Sequence, residues 1–348
     1  MATGYLSPNA GYIPNWEASG KIIVDFSRAP ADFALPRYTQ YVKTPKQVGY
    51  FLQITPDNAA RIINTDLSEF RWPDGQPRPM GNDNHKDFQF VKFSTDRYAF
   101  PFTLGTLTID QSDWNVTAMY SRMAAQQAMT GRALRVITLV GNSANWPTTH
   151  TNTATLAGGG KWDVATSQTP FIKKSLMAAA IQINKDTLGV VKPKDLHLVI
   201  NPTLASLMAS SQEIIDQVKQ AANTINLIRG EDRVNNIEGW LLPDVLYGFP
   251  VVIEDTVRVS TRKGTNAQTI GYELADTSAL LMARVGGLDG LYGAPSFSTV
   301  QLFMEEEMTI ETFDDTLNRR MIGSVVENYV EALVSTASGF LFTACSGP

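Results

Sequence analysis

The N-terminal third of this 348-residue chain has no core of its own. Residues 1–110 carry many prolines, scattered aromatics and no sustained helical stripe. A piece that buries too little of its own surface does not fold alone. It becomes ordered by lying on something else, and the readiest surface is other copies of the same protein. This points to an assembly subunit and away from a solitary enzyme.

The segment divides in two. Residues 1–45 read as an extended arm, punctuated by Pro8, Pro14, Pro30, Pro36 and Pro45. Proline fixes φ and removes a backbone donor, so regular structure is not expected there. Residues 46–103 read as a long β-hairpin with a polar tip. Strands are predicted over 47–54, 88–93 and 98–109, with a short helix from Thr55 to Ile63. Between them, WPDGQPRPMGNDNHKD (72–87) is turn chemistry throughout. An ordinary surface loop is the alternative. Loops this long inside compact domains are uncommon and tend to be functional, which favours a projecting arm.

Composition narrows the classes. Charged residues make up 18% of the chain, below the ~25% of typical soluble proteins. That suits a surface largely used in contacts with neighbours. The net charge of −5 argues against a nucleic-acid reader, which needs a basic face, though not against a wall enclosing nucleic acid. Cys345 is the only cysteine, which excludes an internal disulfide. The start, MATGYLSP, lacks a signal peptide's charged and apolar regions. No run approaches the ~18 apolar residues of a membrane span. Synthesis in a cytoplasm is the expectation, with no membrane partner.

Beyond the hairpin, Ser112-Asp113 is expected to cap a helix over 113–140. Val116, Met119, Tyr120, Met123, Gln127, Thr130, Leu134 and Ile137 recur at steps of three and four, one helix face. A second helix is expected over 172–183, stopped near Gly189. A strand follows over 196–200, then Asn201-Pro202 opening a helix to Met208, and another helix over 212–222. Strands are expected over 251–253, 269–274 and 278–284. The strongest pattern is 298–312: Val300, Leu302, Met304, Met308 and Ile310 alternate with Thr299, Gln301, Glu305, Glu307, Thr309 and Glu311. This marks a long strand buried on one side. Glu306 would fall on its apolar face, a costly place for a carboxylate without a cation. Residues 324–334 supply a strand to pair with it. Helices mixed with antiparallel-looking strands give an α+β class.

No catalytic, cofactor-binding or metal site is read from the residues. His85, His150 and His197 are scattered, and His197 reads as a satisfied structural histidine. Asp83, His85 and Asp87 alternate in the hairpin tip but are too few for a metal site. AGGGK (157–161) has the wrong spacing for a phosphate loop, with Trp162 where Ser or Thr should bind magnesium. Residues 286–290, GGLDG, are a turn. Cys345 has no local histidine to activate it. Glu305 and Glu307 read as a solvated face. Asn115-Val-Thr117 matches a glycosylation acceptor without a secretory context.

Read in order, these landmarks resemble the major capsid proteins of tailed phages, the fold of the Hong Kong phage subunit shared with encapsulins. The carriers are the arm, the hairpin, the 113–140 helix, LHLVINPTLASLM (196–208), LYGFPVVIED (246–255) and the closing block FDDTLNRRMIGSVVENYVEALVSTASGFLF (313–342). The resemblance implies an N-terminal arm (1–45) and an extended loop (46–103) laid on a neighbour. It implies a peripheral domain (104–169 and 281–333) with 113–140 as spine helix, reaching a neighbour near a local threefold. The remainder, 170–280 and 334–348, would be an axial domain meeting copies around five- and sixfold positions.

The function so implied is a self-assembling subunit of an icosahedral shell around phage double-stranded DNA. It would form pentamers and hexamers within a virion, hold DNA without reading its sequence, and perform no catalysis. Scaffolding, portal and decoration proteins are the further partners such a role allows. No scaffold-like segment precedes the arm, so a separate scaffolding protein, or none, is expected. Some relatives form Lys–Asn links between subunits; Lys86, Lys92 and Asn328 are the residues here that could be cast in that role, though no motif fixes the match. The alternatives are an encapsulin-like compartment and, in a different class, a cytoplasmic hydrolase or ligand-binding protein with a long lid.

Overall fold

A computed structural model describes residues 33–53, 71–77, 89–112, 115–153, 160–220, 240–261, 269–285 and 297–347. The first half of the chain supplies α1 (Leu35–Tyr38), β1 (Gln40–Lys43), β2 (Val48–Gln53), β3 (Gln89–Ser94), β4 (Asp96–Gly105), α2 (Thr106–Asp110), α3 (Val116–Gly141), β5 (Thr151–Thr153) and α4 (Phe171–Asp186). The second half supplies β6 (Leu196–Ile200), α5 (Pro202–Ala209), α6 (Gln212–Gln220), β7 (Val245–Leu246), β8 (Phe249–Ile253), β9 (Val257–Val259), β10 (Ile270–Tyr272), β11 (Ala279–Val285), β12 (Phe297–Ser298), β13 (Val300–Asp315), β14 (Arg320–Leu333) and β15 (Gly339–Thr343). Two sheets organise them. One is four-stranded in the order β1-β13-β14-β4; the other is seven-stranded in the order β5-β15-β11-β6-β8-β7, with β12 beside β11. Two separate ribbons, β2–β3 and β9–β10, complete an α+β architecture.

The alternating run becomes β13, paired antiparallel with β14 from Val300↔Leu333 to Asp315↔Arg320. Register shifts fall between Met304 and Glu306 and between Glu306 and Thr309. An extra residue in one strand flips every later side chain to the other face. Glu306 is therefore half-exposed, not on an apolar face as the alternation predicted. The second shift restores the alternation, so Ile310 returns to the side of the buried Val300, Leu302 and Met304, yet it is itself 56% exposed. β14 also starts at Arg320, four residues earlier than the pattern implied. Likewise β4 stops at Gly105, and Thr106–Asp110 is a helical turn in place of the expected strand end.

Helix α3 begins later than expected. Its cap is Asn115, whose Oδ1 accepts from the Ala118 amide at 2.9 Å. Its buried face is also different: Val116, Ala124, Ala128, Arg132, Ala133, Val136, Ile137 and Val140 face inward, whereas Met123 is 43% exposed. Sheet strands β4 and β14 supply the bulk, with Phe102, Leu104 and Val325 packed against Ala124 and Ala128. Small helical residues let the helix lie close to the sheet, and a reading weighted by large apolar residues selects the wrong face.

The segment ascribed to an arm is partly core. Phe33, Ala34, Leu35 and Tyr38 are buried in the chain itself, and β1 runs parallel to β13 from Gln40↔Gln301. Residues 1–32 lie outside the described residues, as do the expected Thr55–Ile63 helix and residues 78–87. Strands β2 and β3 pair antiparallel from Val48↔Ser94 to Gln53↔Gln89. Residues 96–103 are in β4, paired along its length with β14.

The seven-stranded sheet carries a helix-covered core of Ile172, Leu176, Ile183, Leu198, Leu204, Phe249 and Phe340. Asn201-Pro202 works as its spacing predicts. Asn201 Oδ1 accepts from the Leu204 amide at 2.8 Å, while Nδ2 donates to Leu274 O at 3.1 Å and Asp276 Oδ1 at 2.6 Å. Pro202 occupies the first helical position, where its missing N–H costs nothing. Helix α4 ends through Leu188 and Gly189, both at positive φ.

Gly339 marks the tightest packing at the junction of the two sheets. A Cβ there would lie 2.6 Å from the Trp146 ring and 2.8 Å from Thr299 Cγ2. Trp146 cannot retreat: it is buried and donates to Val140 O at 2.7 Å. Gly339→Ala is expected to lower stability by about 1–3 kcal/mol, the cost of overpacking. Urea denaturation measures it against Gly271→Ala, where the new methyl meets nothing within 4 Å.

Candidate functional site

Among the described residues, those singled out for chemistry do not converge. His150 is buried, with Nδ1 2.7 Å from Gly339 O and Nε2 2.7 Å from Asp186 Oδ2. Its partners lie far off in sequence, so no local reading could find them, and they make it a tie between β15 and α4. His197 is half-buried in β6, and its Nδ1 has no hydrogen-bond partner among the described residues. It is thus less satisfied than expected. Burial and then Arg284 push it below the ordinary histidine range. Cys345 is buried, and burial pushes its thiol up, away from the reactive thiolate. Lys161 Nζ donates to Gly347 O. Asp83, His85, Lys86, Asp87 and residues 286–290 lie outside the described residues. Among those described, no three His, Cys, Asp or Glu side chains gather as a metal site, and no helix is long and apolar enough to cross a membrane.

Glu305 accepts from Asn328 Nδ2 and, at 3.5 Å, from Thr95 Oγ1. Asn328 itself is 2% exposed, whereas Lys92 stands exposed on β3. On the opposite side of β14, Glu327 is wholly buried and pairs with Arg132 of α3. Burial holds its carboxyl above the ordinary value against the pull of Arg132. Arg132 also lies 5.3 Å from the Tyr329 ring centroid, and Arg135 stacks 3.3 Å from that of Tyr98. These groups join α3 to the four-stranded sheet.

What the molecule does present is apolar surface. The β2–β3 ribbon has two apolar faces. Phe51 and Phe93 lie against Phe303 of β13, Phe93 stacked on it at 4.5 Å and 8°. The opposite face carries Val48 (45% exposed), Tyr50 (69%) and Phe90 (68%). The signal was present in VGYFLQ, where large apolar residues fall on both faces of the strand.

A second apolar surface lies at the far end of β13–β14, where Phe313 and Leu317 are 61% and 90% exposed. There Asp315 accepts from Asn318 Nδ2 at 2.7 Å and Arg320 Nε at 2.9 Å. Those donors hold its carboxyl below the ordinary value. Beside this turn is a cavity of about 560 Å³ lined by Leu104, Leu107, Tyr120, Asn318 and Arg319.

No protein-family model matches the sequence, and no curated protein does. Solved structures do match. A phage-related protein from Bordetella bronchiseptica RB50 superposes with a TM-score of 0.61 at 14% identity, over 92% of this chain and 95% of that one. The capsid of the cyanophage P-SCSP1u aligns over 100% and 96% of the two chains, with a TM-score of 0.52 at 11% identity. The mature capsid of bacteriophage PhiM1 aligns over 100% and 93%, with a TM-score of 0.51 at 11% identity. At such identities the likeness concerns architecture, and it spans 92–100% of the chain: the protein has the phage capsid fold that its sequence landmarks resembled.

Proposed function

We propose that the chain is a major capsid protein, the self-assembling subunit of an icosahedral shell enclosing phage double-stranded DNA. The observation that carries this reading is the β2–β3 ribbon. Its inner face is used within the subunit, while its outer face leaves Val48, Tyr50 and Phe90 in water. Exposed aromatic clusters of this kind mark interaction sites, and a repeated closed symmetry buries the same face in every copy. The fold of known capsids supports the reading. So does the exposed far end of β13–β14, which lies where a neighbour would be met near a local threefold.

In this role the four-stranded sheet and α3 form the peripheral domain, and the seven-stranded sheet with α4–α6 forms the axial domain. Strands β5, β12 and most of β11, expected in the peripheral domain by the 104–169 and 281–333 bounds, pair into the seven-stranded sheet and so go with the axial one. The β2–β3 ribbon is the base of the extended loop. The protein is made in the host cytoplasm, resides in the virion as pentamers and hexamers, and has no catalytic part.

Purified protein should give megadalton shells or capsomers by light scattering and negative-stain imaging. A protein that remains monomeric at every concentration overturns the shell. The double variant Y50S/F90S should keep its circular dichroism and melting temperature yet fail to close shells. Each exposed ring contributes about 1.5–3 kcal/mol when a neighbour covers it. Normal particles from that variant would remove the ribbon from the interface.

A further inference from the structure

Residues 33–38 cross one face of the seven-stranded sheet before β1 joins the four-stranded one. Leu35 and Tyr38 are buried with Val252, Leu280 and Met282. Two polar ties hold the crossing. Arg284 of β11 donates to Pro36 O, and Tyr38 Oη donates to Glu254 Oε2 at 2.7 Å. Glu254 follows β8 and is 2% exposed. Its other oxygen accepts from the Thr256 amide at 3.2 Å and from Thr256 Oγ1. No Lys, Arg or His among the described residues forms an ion pair with it. A buried carboxylate with neutral donors alone is poorly compensated.

We propose that residues 33–38 are a strap whose docking on the seven-stranded sheet is coupled to protonation of Glu254, so that rising pH releases it. Burial, working against the Thr256 and Tyr38 donors, holds the Glu254 carboxyl above its ordinary value, and neighbouring Asp255 adds to this. Tyr38 stays a donor, because burial and Glu254 push its hydroxyl well above the ordinary tyrosine range, with Tyr41 of β1 adding to this. Arg284 of β11 serves Pro36 O, and His197 of β6 lies near that arginine. A raised acid value means that the docked state holds its proton more tightly than the undocked one. The resulting stabilisation is full below the ordinary carboxylate range and is lost as pH rises through the raised value. Glu254 thus governs how the segment before β1 is anchored to the seven-stranded sheet. This device does not depend on shell formation.

Hydrogen exchange of residues 33–43 in the full-length protein tests the strap, with wild type and E254Q compared at the same pH. Near pH 5 the two should be equally protected. Near pH 9 the wild type should exchange faster than E254Q, by a factor of about ten for each unit by which the docked carboxyl is raised. A wild-type to E254Q ratio that stays constant across that range overturns the coupling. Y38F provides a second readout. It removes a donor that favours the carboxylate, so the pH at which protection falls should move upward; an unmoved midpoint also overturns the proposal.

Discussion

Arg132→Ala is expected to lower the stability of the unassembled chain by about 3–5 kcal/mol, because it leaves a buried charge alone. Glu327 is fully enclosed between α3 and the four-stranded sheet, and Arg132 is its cation. The pair is not lavishly solvated by protein, since Arg132 Nε and Glu327 Oε1 have no hydrogen-bond partner among the described residues. Replacing both partners by apolar residues of similar volume should therefore restore most of the loss, as R132M/E327L would. Guanidinium denaturation of the single and double variants measures the coupling. A loss under about 1 kcal/mol for R132A would mean that water reaches Glu327 and that the pair is effectively a surface one. The same arginine packs over the Tyr329 ring, so R132K keeps the charge but loses the stacked plane and should fall between.

Glu213→Ala should cost a comparable amount, about 3 kcal/mol or more. Helix α4 starts after Pro170, which offers no side-chain cap. Glu213 of α6 acts in its place: Oε2 accepts from the Ile172 amide at 3.1 Å and Oε1 from the Lys173 amide at 3.0 Å. Tyr247 Oη adds a third bond to Oε1 at 2.6 Å. The carboxylate is 1% exposed and sits at the positive end of the helix dipole. Removing it strands two amides and a hydroxyl, each worth about 1–3 kcal/mol when buried and unpaired. E213Q keeps an acceptor for one amide and should lose roughly half as much. Y247F removes one bond and should cost about 1 kcal/mol. Thermal melts of the three variants rank them; E213A no worse than Y247F would show that α4 is capped by other means.

The two long strands were legible because alternation is a property of neighbouring residues, and so was the helix after Asn201-Pro202. Glu306 escaped because a bulge is set by how β13 meets β14, not by β13 alone. The buried face of α3 escaped because Ala124 and Ala128 owe their position to Phe102 and Leu104 on another element. Glu213 capping α4, Glu254 under Tyr38, and His150 between Gly339 and Asp186 each join residues distant in the chain. No period or spacing records such pairs.

By itself, the sequence determined that this chain is α+β, with a β2–β3 ribbon, a long helix and a closing pair of strands. Those features rest on local propensity, turn chemistry and period. Tertiary structure alone decided which apolar faces are used within the subunit and which remain in water. It buried Phe33, Ala34, Leu35 and Tyr38 in the core and left Tyr50, Phe90, Phe313 and Leu317 outside. The reason is physical: hydrophobicity states that a side chain should be covered, and only packing states by what.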